Sequence, residues 1–255
     1  MKLGIVQGRL LEPVDNKIQE FPIENWKKEL NILNHLELIG VEWIINKNYF
    51  DGNPIFDTDF DYFEKITSVC LDNLITDKIH VSEYLEEVLD KVCSNEKIVS
   101  INIPLLEESS MESKSKRYNF INKVNEYAEL YQNKEFLFEA ELDLEGYLEI
   151  VNSKPNFFAT YDTGNLTSYK VNHSEYILGL NDKIKCVHIK DRSINGESMK
   201  LFEGDTDFDE IFSSLSQIKY KGLFILQLAR GNSGSELETV KEQISTIKKL
   251  YSKYF

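Results

Sequence analysis

Four polar side chains stand near the ends of four consecutive β-rich segments. They supply two carboxylates, one imidazole and one amide oxygen, from Glu139, Asp162, His188 and Gln227. Side chains alternate between the two faces of a strand, and each of the four shares a face with residues expected to point inward. This mixture of oxygen and nitrogen donors suits one divalent cation: Mn²⁺, Mg²⁺, Co²⁺ or Zn²⁺. The pattern therefore predicts a shared metal site.

Each donor taken singly has an ordinary structural interpretation. The segment Asp162-Thr-Gly-Asn is typical of a turn. A lone His188 would more often be a hydrogen-bonded core histidine than a ligand, and a lone Gln227 a satisfied amide. Their matching depth in four successive strands puts the metal site on an equal footing with these interpretations.

The elements that must position these donors are eight β-rich runs, separated for the most part by helical patterns. The runs are Leu3–Gln7, Gly40–Ile45, Ile66–Leu71, Lys97–Ile103, Glu135–Glu141, Phe157–Asp162, Ile184–Lys190 and Leu223–Leu228. A short helix is expected over Asp57–Lys65. Eight strand–helix units over residues 1–255 predict a single α/β domain, a (β/α)₈ TIM barrel with parallel strands and outer helices. An open doubly wound sheet is the alternative, but no strand is followed by a glycine-rich phosphate-binding motif.

Composition narrows the classes of partner. The chain has 29 Lys and Arg against 43 Asp and Glu, a formal net charge of −14, which argues against a nucleic-acid partner. No apolar run is long enough to span a membrane, and the start lacks the pattern of a signal peptide. The three cysteines are scattered, which is typical of reduced thiols in a cytoplasmic protein. We therefore expect a cytoplasmic protein with no nucleic-acid or membrane partner.

Further polar residues are expected around the carboxyl-terminal mouth of the barrel. Gln7 and Arg9 close the first strand, and Lys190 shares the inward face with His188. Arg192 and Arg230 lie just beyond their strands. Such cations would attract a sugar phosphate or sugar acid. The alternative is that the two arginines pair with loop acids such as Asp191, Asp205 and Asp207.

Motifs spread over nearly the whole chain carry a family resemblance. They are Val6–Leu10, Gly40–Trp43, Phe136–Glu139, Tyr161–Asn165, Val187–Arg192, Glu203–Phe208 and Phe224–Arg230. The His-Ile-Lys-Asp segment, followed by Glu-Gly-Asp and Asp-Phe, is the most specific. The chain resembles the xylose isomerase-like family of sugar and sugar-phosphate isomerases and epimerases.

The resemblance implies a (β/α)₈ barrel and a function. Family members hold a divalent metal through Glu, Asp, His and a second Glu, which fall on Glu139, Asp162, His188 and Gln227. The implied reaction is isomerisation or epimerisation of a sugar or sugar phosphate. A proton is abstracted next to a carbonyl through a metal-stabilised enediolate, with Glu139 as base and Lys190 as a catalytic cation. Gln227 departs from the family pattern, since an amide can ligate a metal but cannot accept a proton.

Several hypotheses follow from that departure. In the first hypothesis, Glu139 is the sole base, which suits aldose–ketose isomerisation. In the second, another acid replaces the lost glutamate, and the candidates are Glu42, Asp72 and Glu141. A dehydratase of a keto-sugar or keto-inositol would begin with the same proton abstraction. A catalytically silent sugar-binding paralogue is the remaining hypothesis.

An abasic-site endonuclease on this barrel is disfavoured by the 4 histidines and the acidity. The expected ligand is a small-molecule sugar. The other expected partner is a second copy of the chain, in a possible homodimer.

Overall fold

The computed structural model describes residues 1–17, 19–46, 50–72, 83–106 and 114–255. Eight parallel strands close into a barrel in chain order, which confirms the predicted fold. The strands are β1 (Lys2–Val6), β2 (Val41–Ile45), β3 (Ile66–Leu71), β4 (Ser100–Leu105), β5 (Glu135–Ala140), β6 (Phe157–Asp162), β7 (Ile184–Ile189) and β8 (Leu223–Leu226). The barrel closes where β8 pairs with β1, with Leu223 beside Lys2 and Leu226 beside Ile5.

Helices surround the strands. They are α1 (Trp26–Leu33), α2 (Glu83–Ser94), α3 (Lys114–Leu130), α4 (Leu144–Val151), α5 (Thr163–Ser168), α6 (His173–Leu180), α7 (Phe208–Gln217) and α8 (Glu236–Tyr254). In α8, buried Val240, Ile244 and Ile247 recur at three- and four-residue intervals, which gives the helix one apolar face. After β7 the chain forms a short antiparallel hairpin, Asp191–Arg192 with Ser198–Met199.

The alternation of side chains along the strands divides the apolar residues into two cores. In β5, Phe136 and Phe138 pack outward into the large cluster between strands and helices. Leu137 points the other way, into a small cluster inside the barrel that also contains Val6, Ile44, Cys186 and Ile225. Because inward positions recur every second residue, Glu139 lies on the inner face above Leu137.

The helix expected over Asp57–Lys65 is wrong. Within this stretch only Phe63–Lys65 is helical, as a short 3₁₀ turn, and a second 3₁₀ turn, Pro54–Phe56, lies just before it. Aromatic packing explains the difference, because the Phe60 ring lies 5.2 Å from Trp43 and 5.6 Å from Trp26 between ring centroids. Burying this side chain against the indoles fixes an irregular backbone path, so tertiary contact overrides local helical spacing.

A buried histidine links α5, α6 and the loop before α7. His173 Nδ1 lies 2.6 Å from the Tyr161 hydroxyl, and its Nε2 lies 3.0 Å from Thr167 Oγ1. The Thr167 hydroxyl in turn donates to Thr206 Oγ1 at 3.1 Å. Burial lowers the pKa of His173 from 6.5 to about 4, so the ring is held neutral in the folded protein.

We predict that this histidine makes stability fall as the pH drops from about 6.5 toward 4. The unfolded chain takes up the proton first, since the folded pKa lies below the unfolded value. His173→Gln should be less stable than the unaltered protein at pH 7, and this deficit should shrink by about 1–2 kcal/mol at pH 5. Urea unfolding at both pH values measures it. His35→Gln, at an exposed histidine, is the control and should leave the pH dependence unchanged. A deficit of the same size at both pH values would contradict the prediction.

Candidate metal centre

Three of the predicted donors converge at the carboxyl ends of β5, β6 and β7. Asp162 and His188 lie side by side in the register of β6 and β7. One ligand atom from each of Glu139, Asp162 and His188 lies within 4.8 Å of the others. All three side chains are at most 2% exposed. The barrel therefore brings together a carboxylate pair and an imidazole, out of contact with solvent.

Several donor atoms in this cluster are left without conventional partners. His188 Nδ1 lies 3.2 Å from Glu139 Oε2 and 3.9 Å from Asp162 Oδ2. Within the described residues, Asp162 Oδ2 and both ring nitrogens of His188 lack a well-directed hydrogen bond. Buried polar atoms are normally paired, so converging lone pairs of this kind fit a divalent cation.

Asp162 divides its carboxylate between two tasks. Its Oδ1 accepts a hydrogen bond of 2.7 Å from the Asn165 backbone N–H and so caps the first turn of α5. The other oxygen, Oδ2, stays on the inner side of the barrel. The Asp-Thr-Gly-Asn segment therefore begins a helix rather than forming an isolated turn.

Glu42 lies beside the imidazole on the opposite side from Glu139. Its Oε1 is 3.2 Å from His188 Nε2, while its Oε2 accepts a hydrogen bond of 2.7 Å from the Ser68 hydroxyl. The side chain is 1% exposed, inside the barrel. Its neighbour Trp43 packs outward, as the alternation of β2 requires. In metal sites, a carboxylate that contacts the second ring nitrogen of a ligating histidine fixes the orientation of the ring. Glu42 contacts His188 Nε2 in this way.

The charges of this cluster act on one another. Burial opposes protonation of His188, but the carboxylates of Glu42 and Glu139 outweigh it and hold the His188 pKa well above its usual range. Burial likewise acts to raise the pKa of Glu139, yet His188 and Lys190 together lower it. For Asp162, burial dominates and raises the pKa. The carboxylates are thus balanced by two nearby cationic groups, His188 and Lys190.

Asn165 was not predicted as a site residue, although it contacts Glu139 directly. Its side-chain N–H donates to Glu139 Oε1 at 2.7 Å, and its oxygen accepts from Lys190 Nζ at 3.2 Å. Gly164 permits this arrangement, since a Cβ there would lie 3.0 Å from Lys190 Cγ and 3.2 Å from Arg192 Cγ. The signal in the sequence is an asparagine three residues after a capping aspartate. This spacing brings the asparagine amide back toward the ends of the strands.

Gln227 follows β8 on the inward face shared with Ile225. Its backbone N–H donates to the Ile189 carbonyl at 3.0 Å, which extends the pairing with β7 by one residue. Its side-chain nitrogen donates to Gln19 Oε1 at 3.1 Å, while its own Oε1 is buried without a hydrogen-bond partner among the described residues. The fourth predicted donor therefore has an unused oxygen.

Two further acids follow their strands on the inward face. Asp72, after β3, forms a side-chain hydrogen bond with Gln19, and burial raises its pKa to about 6. Glu141, after β5, lies two residues beyond Glu139 and is half-buried. Both carboxylates belong to the mouth of the barrel, whereas Glu42 lies deeper, among the strands.

The residues expected to contact an anion at the rim are largely engaged by the backbone. Gln7 Oε1 accepts from the Ile44 N–H at 2.9 Å. Arg9 donates to the Leu228 carbonyl at 3.0 Å. Arg230 donates to the carbonyls of Leu11 and Gly8, both at 2.9 Å. These two arginines therefore fasten the segment after β1 to the segment after β8.

The contacts of the loop acids also differ from the alternative prediction, in which Arg192 and Arg230 pair with these acids. Asp191 accepts hydrogen bonds from the backbone of Gly204 and Thr206, Asp205 accepts from Ile194, and Asp207 caps α7. Arg192 lies half-buried in the hairpin against Gly164, with its Nε unpartnered among the described residues. Among the predicted rim cations, Lys190 adjoins the cluster through its contact with Asn165.

Comparison with known proteins identifies the family. The model of the xylose isomerase-like TIM barrel family matches residues 123–250, which include α4 to α7 and the strands that carry all four donors. The chain belongs to this family. A search of curated protein sequences finds no match.

Solved structures share the xylose isomerase-like fold at low identity. A D-allulose 3-epimerase from Methylomonas sp., in complex with D-allulose, is 15% identical with a TM-score of 0.75, over 98% of this chain and 97% of the other. The IOLI protein with a zinc atom is 18% identical with a TM-score of 0.68, over 100% and 99%. A probable 3-DHS dehydratase, AsbF, from Bacillus anthracis is 15% identical with a TM-score of 0.69, over 96% and 99%. At these identities the likeness shows the fold.

In the described part of this xylose isomerase-like chain, no helix has the length and apolar character needed to cross a membrane.

We predict that Asp162→Asn weakens binding of Mn²⁺ or Co²⁺ by more than about 10-fold without loss of the fold. Asparagine keeps the oxygen that caps α5 but replaces the free oxygen with an NH₂ group, which cannot ligate a cation. Calorimetric titration of chelator-treated protein measures the affinity and stoichiometry. Glu135→Gln is the control, because Glu135 lies at the opposite end of β5 from Glu139. Equal affinity in Asp162→Asn and the unaltered protein would show that this oxygen holds no metal.

Proposed function

We propose that this chain is a divalent-metal-dependent isomerase or epimerase of a sugar or sugar phosphate. The observation that carries the proposal is the buried convergence of Asp162 Oδ2 and His188 Nδ1 beside Glu139 at the carboxyl end of the barrel. In (β/α)₈ enzymes this end carries the active site. Membership of the xylose isomerase-like family, and epimerases among the similar structures, support the same assignment.

The bound cation would stabilise the negative charge that develops on substrate oxygen when a proton leaves the carbon next to a carbonyl. Glu139, Asp162 and His188 would hold it, with Gln227 as a fourth donor. The donor set of two carboxylates, one imidazole and one amide oxygen suits Mn²⁺, Co²⁺, Mg²⁺ or Zn²⁺.

Glu139 is the group that we assign as the base. Asn165 holds one of its oxygens at 2.7 Å, which fixes the plane of the carboxylate. Lys190 lies on the far side of the same amide and supplies positive charge at the mouth. Its ammonium is placed to offset an oxyanion on the substrate or a phosphate at its distal end.

Gln227 favours isomerisation over two-base epimerisation. Epimerisation at one carbon needs a proton removed on one face and returned on the other, and an amide accepts no proton. A single base suffices to move a proton between neighbouring carbons of an aldose and a ketose. Asp72 is one candidate for a second acid, since it follows β3 on the inward face and burial raises its pKa to about 6, near neutrality.

Two other functions begin from the same groups. A dehydratase would use the same proton abstraction and then expel water, and the similarity to AsbF motivates it. A silent sugar-binding protein is motivated by Gln227 itself. Product analysis separates these from the proposed reaction, because dehydration yields a double bond and binding alone yields no exchange of substrate hydrogen.

We predict that the metal-loaded protein incorporates deuterium from D₂O at carbon next to the carbonyl of one sugar or sugar phosphate in a panel of aldoses and ketoses. Glu139→Gln should reduce the exchange rate by at least about 100-fold, because a general base contributes that much. Mass spectrometry and NMR of the recovered sugar measure the exchange. Glu135→Gln, at the other end of the same strand, is the matched control, and Glu141→Gln tests the alternative acid. Retained exchange in Glu139→Gln with loss in Glu141→Gln would reassign the base, and silence across the panel would support the binding protein.

We predict that Gln227→Glu gains 3-epimerisation of ketoses. The substitution restores a carboxylate at the position where the family has its second glutamate, opposite Glu139. Chiral chromatography of the products detects the new epimer. Asp72→Asn in the unaltered background is the counterpart: loss of activity there with unchanged cation affinity would identify Asp72 as the second acid. An inactive Gln227→Glu that still binds the cation would contradict the two-carboxylate interpretation of this position.

A further inference from the structure

The two ends of the Gln227 amide differ in what they can bind. The oxygen can ligate a cation, whereas the NH₂ group has no free lone pair for one. An amide in a metal site must therefore be held in one of its two orientations. In Gln227 the nitrogen donates to Gln19 Oε1 at 3.1 Å, which leaves Oε1 buried and unpartnered among the described residues.

Gln19 is itself held in one orientation by groups of opposite charge. Its oxygen also receives a hydrogen bond of 3.5 Å from Arg9 Nη2, and its side chain hydrogen-bonds to the Asp72 carboxylate. Because a carboxylate only accepts, the Gln19 NH₂ group must be the donor to Asp72. Turning this amide over would place NH₂ against a guanidinium and oxygen against a carboxylate. The guanidinium is fixed in its turn, since Arg9 is 6% exposed and donates to the Leu228 carbonyl.

The position of Gln227, just after β8, places its side chain on the inner face of the barrel. Ile225, two residues earlier, belongs to the small cluster inside the barrel and is in register with His188 on β7. Gln227 therefore shares the inner face and lies at the mouth beside the strand that carries His188. With its nitrogen turned to Gln19 in the segment after β1, the oxygen is the end left for the cluster of Glu139, Asp162 and His188.

We propose that Gln19 is a positioning residue, which holds the Gln227 amide with its oxygen toward the metal cluster. The cation then gains a neutral oxygen donor where the family has a carboxylate. This inference rests on the metal site of the proposed function and adds to it the residue that makes the substituted ligand usable. It also explains why Arg9 and Asp72 contact the same side chain from opposite sides.

The test is a double-mutant cycle on cation affinity, with Co²⁺ alone as the probe. Gln19→Met keeps the length of the side chain but removes the acceptor, so the Gln227 amide is free to turn. We expect Co²⁺ affinity to fall by about 10- to 100-fold, the usual effect of losing a group that orients a ligand. The visible absorption spectrum of bound Co²⁺ should change as well, because the oxygen donor is lost. Glu12→Gln, an exposed change in the same segment, is the control and should leave both readings unchanged.

The second arm repeats Gln19→Met in the Gln227→Glu background. The two oxygens of a carboxylate are equivalent, so no orientation has to be held and Gln19→Met should change affinity by less than about 3-fold there. An equal loss in both backgrounds would assign Gln19 a structural role and overturn the inference. Unchanged affinity in the Gln227 background would also overturn it while leaving the metal site intact. Failure of the unaltered protein to bind Co²⁺ would overturn the metal site and the inference together.

Discussion

The site depends on the division of the Asp162 carboxylate between two tasks. One oxygen caps α5 through the Asn165 N–H, and the other, beside His188, has no hydrogen-bond partner in the described part of the chain. The same cap places the Asn165 side chain against Glu139, so a helix of six residues orients two of the acidic donors. A buried carboxylate oxygen without a partner destabilises the folded state, and a cation is the compensation that the surrounding donors are arranged to accept.

The cationic side chains around the mouth separate into two groups with different physical roles. Arg9 and Arg230 donate to backbone carbonyls and fasten the segment after β1 over the barrel. Lys190 remains at the edge of the cluster, held by Asn165, and so contributes charge to the place where a substrate oxygen would lie. In a chain with a formal net charge of −14, Lys190 supplies a positive charge beside the acidic cluster.

Much of this arrangement could be predicted from the alternation of strands and helices. Parity along β5, β6 and β7 places Glu139, Asp162 and His188 on one face, because side chains in a strand alternate strictly. Asn165 could not be predicted in the same way, since its role depends on a hydrogen bond across to another strand. The engagement of Arg9 by the Leu228 carbonyl likewise joins residues far apart in sequence. Local patterns predict which face a residue occupies, whereas its partner depends on the closed barrel.

The amide at position 227 changes the charge balance of the centre. In the proposed metal site, Glu139 and Asp162 would balance the charge of a divalent cation, and a carboxylate at position 227 would add a further negative charge. Like charges in a buried site repel strongly, so an anionic centre opposes the build-up of negative charge on a substrate oxygen more than a neutral centre does. Gln227 therefore removes a proton acceptor and at the same time strengthens the electrostatic pull on an oxyanion. In the proposed function, both effects would favour a reaction that uses one base and a well-stabilised enolate over one that shuttles a proton between two carboxylates.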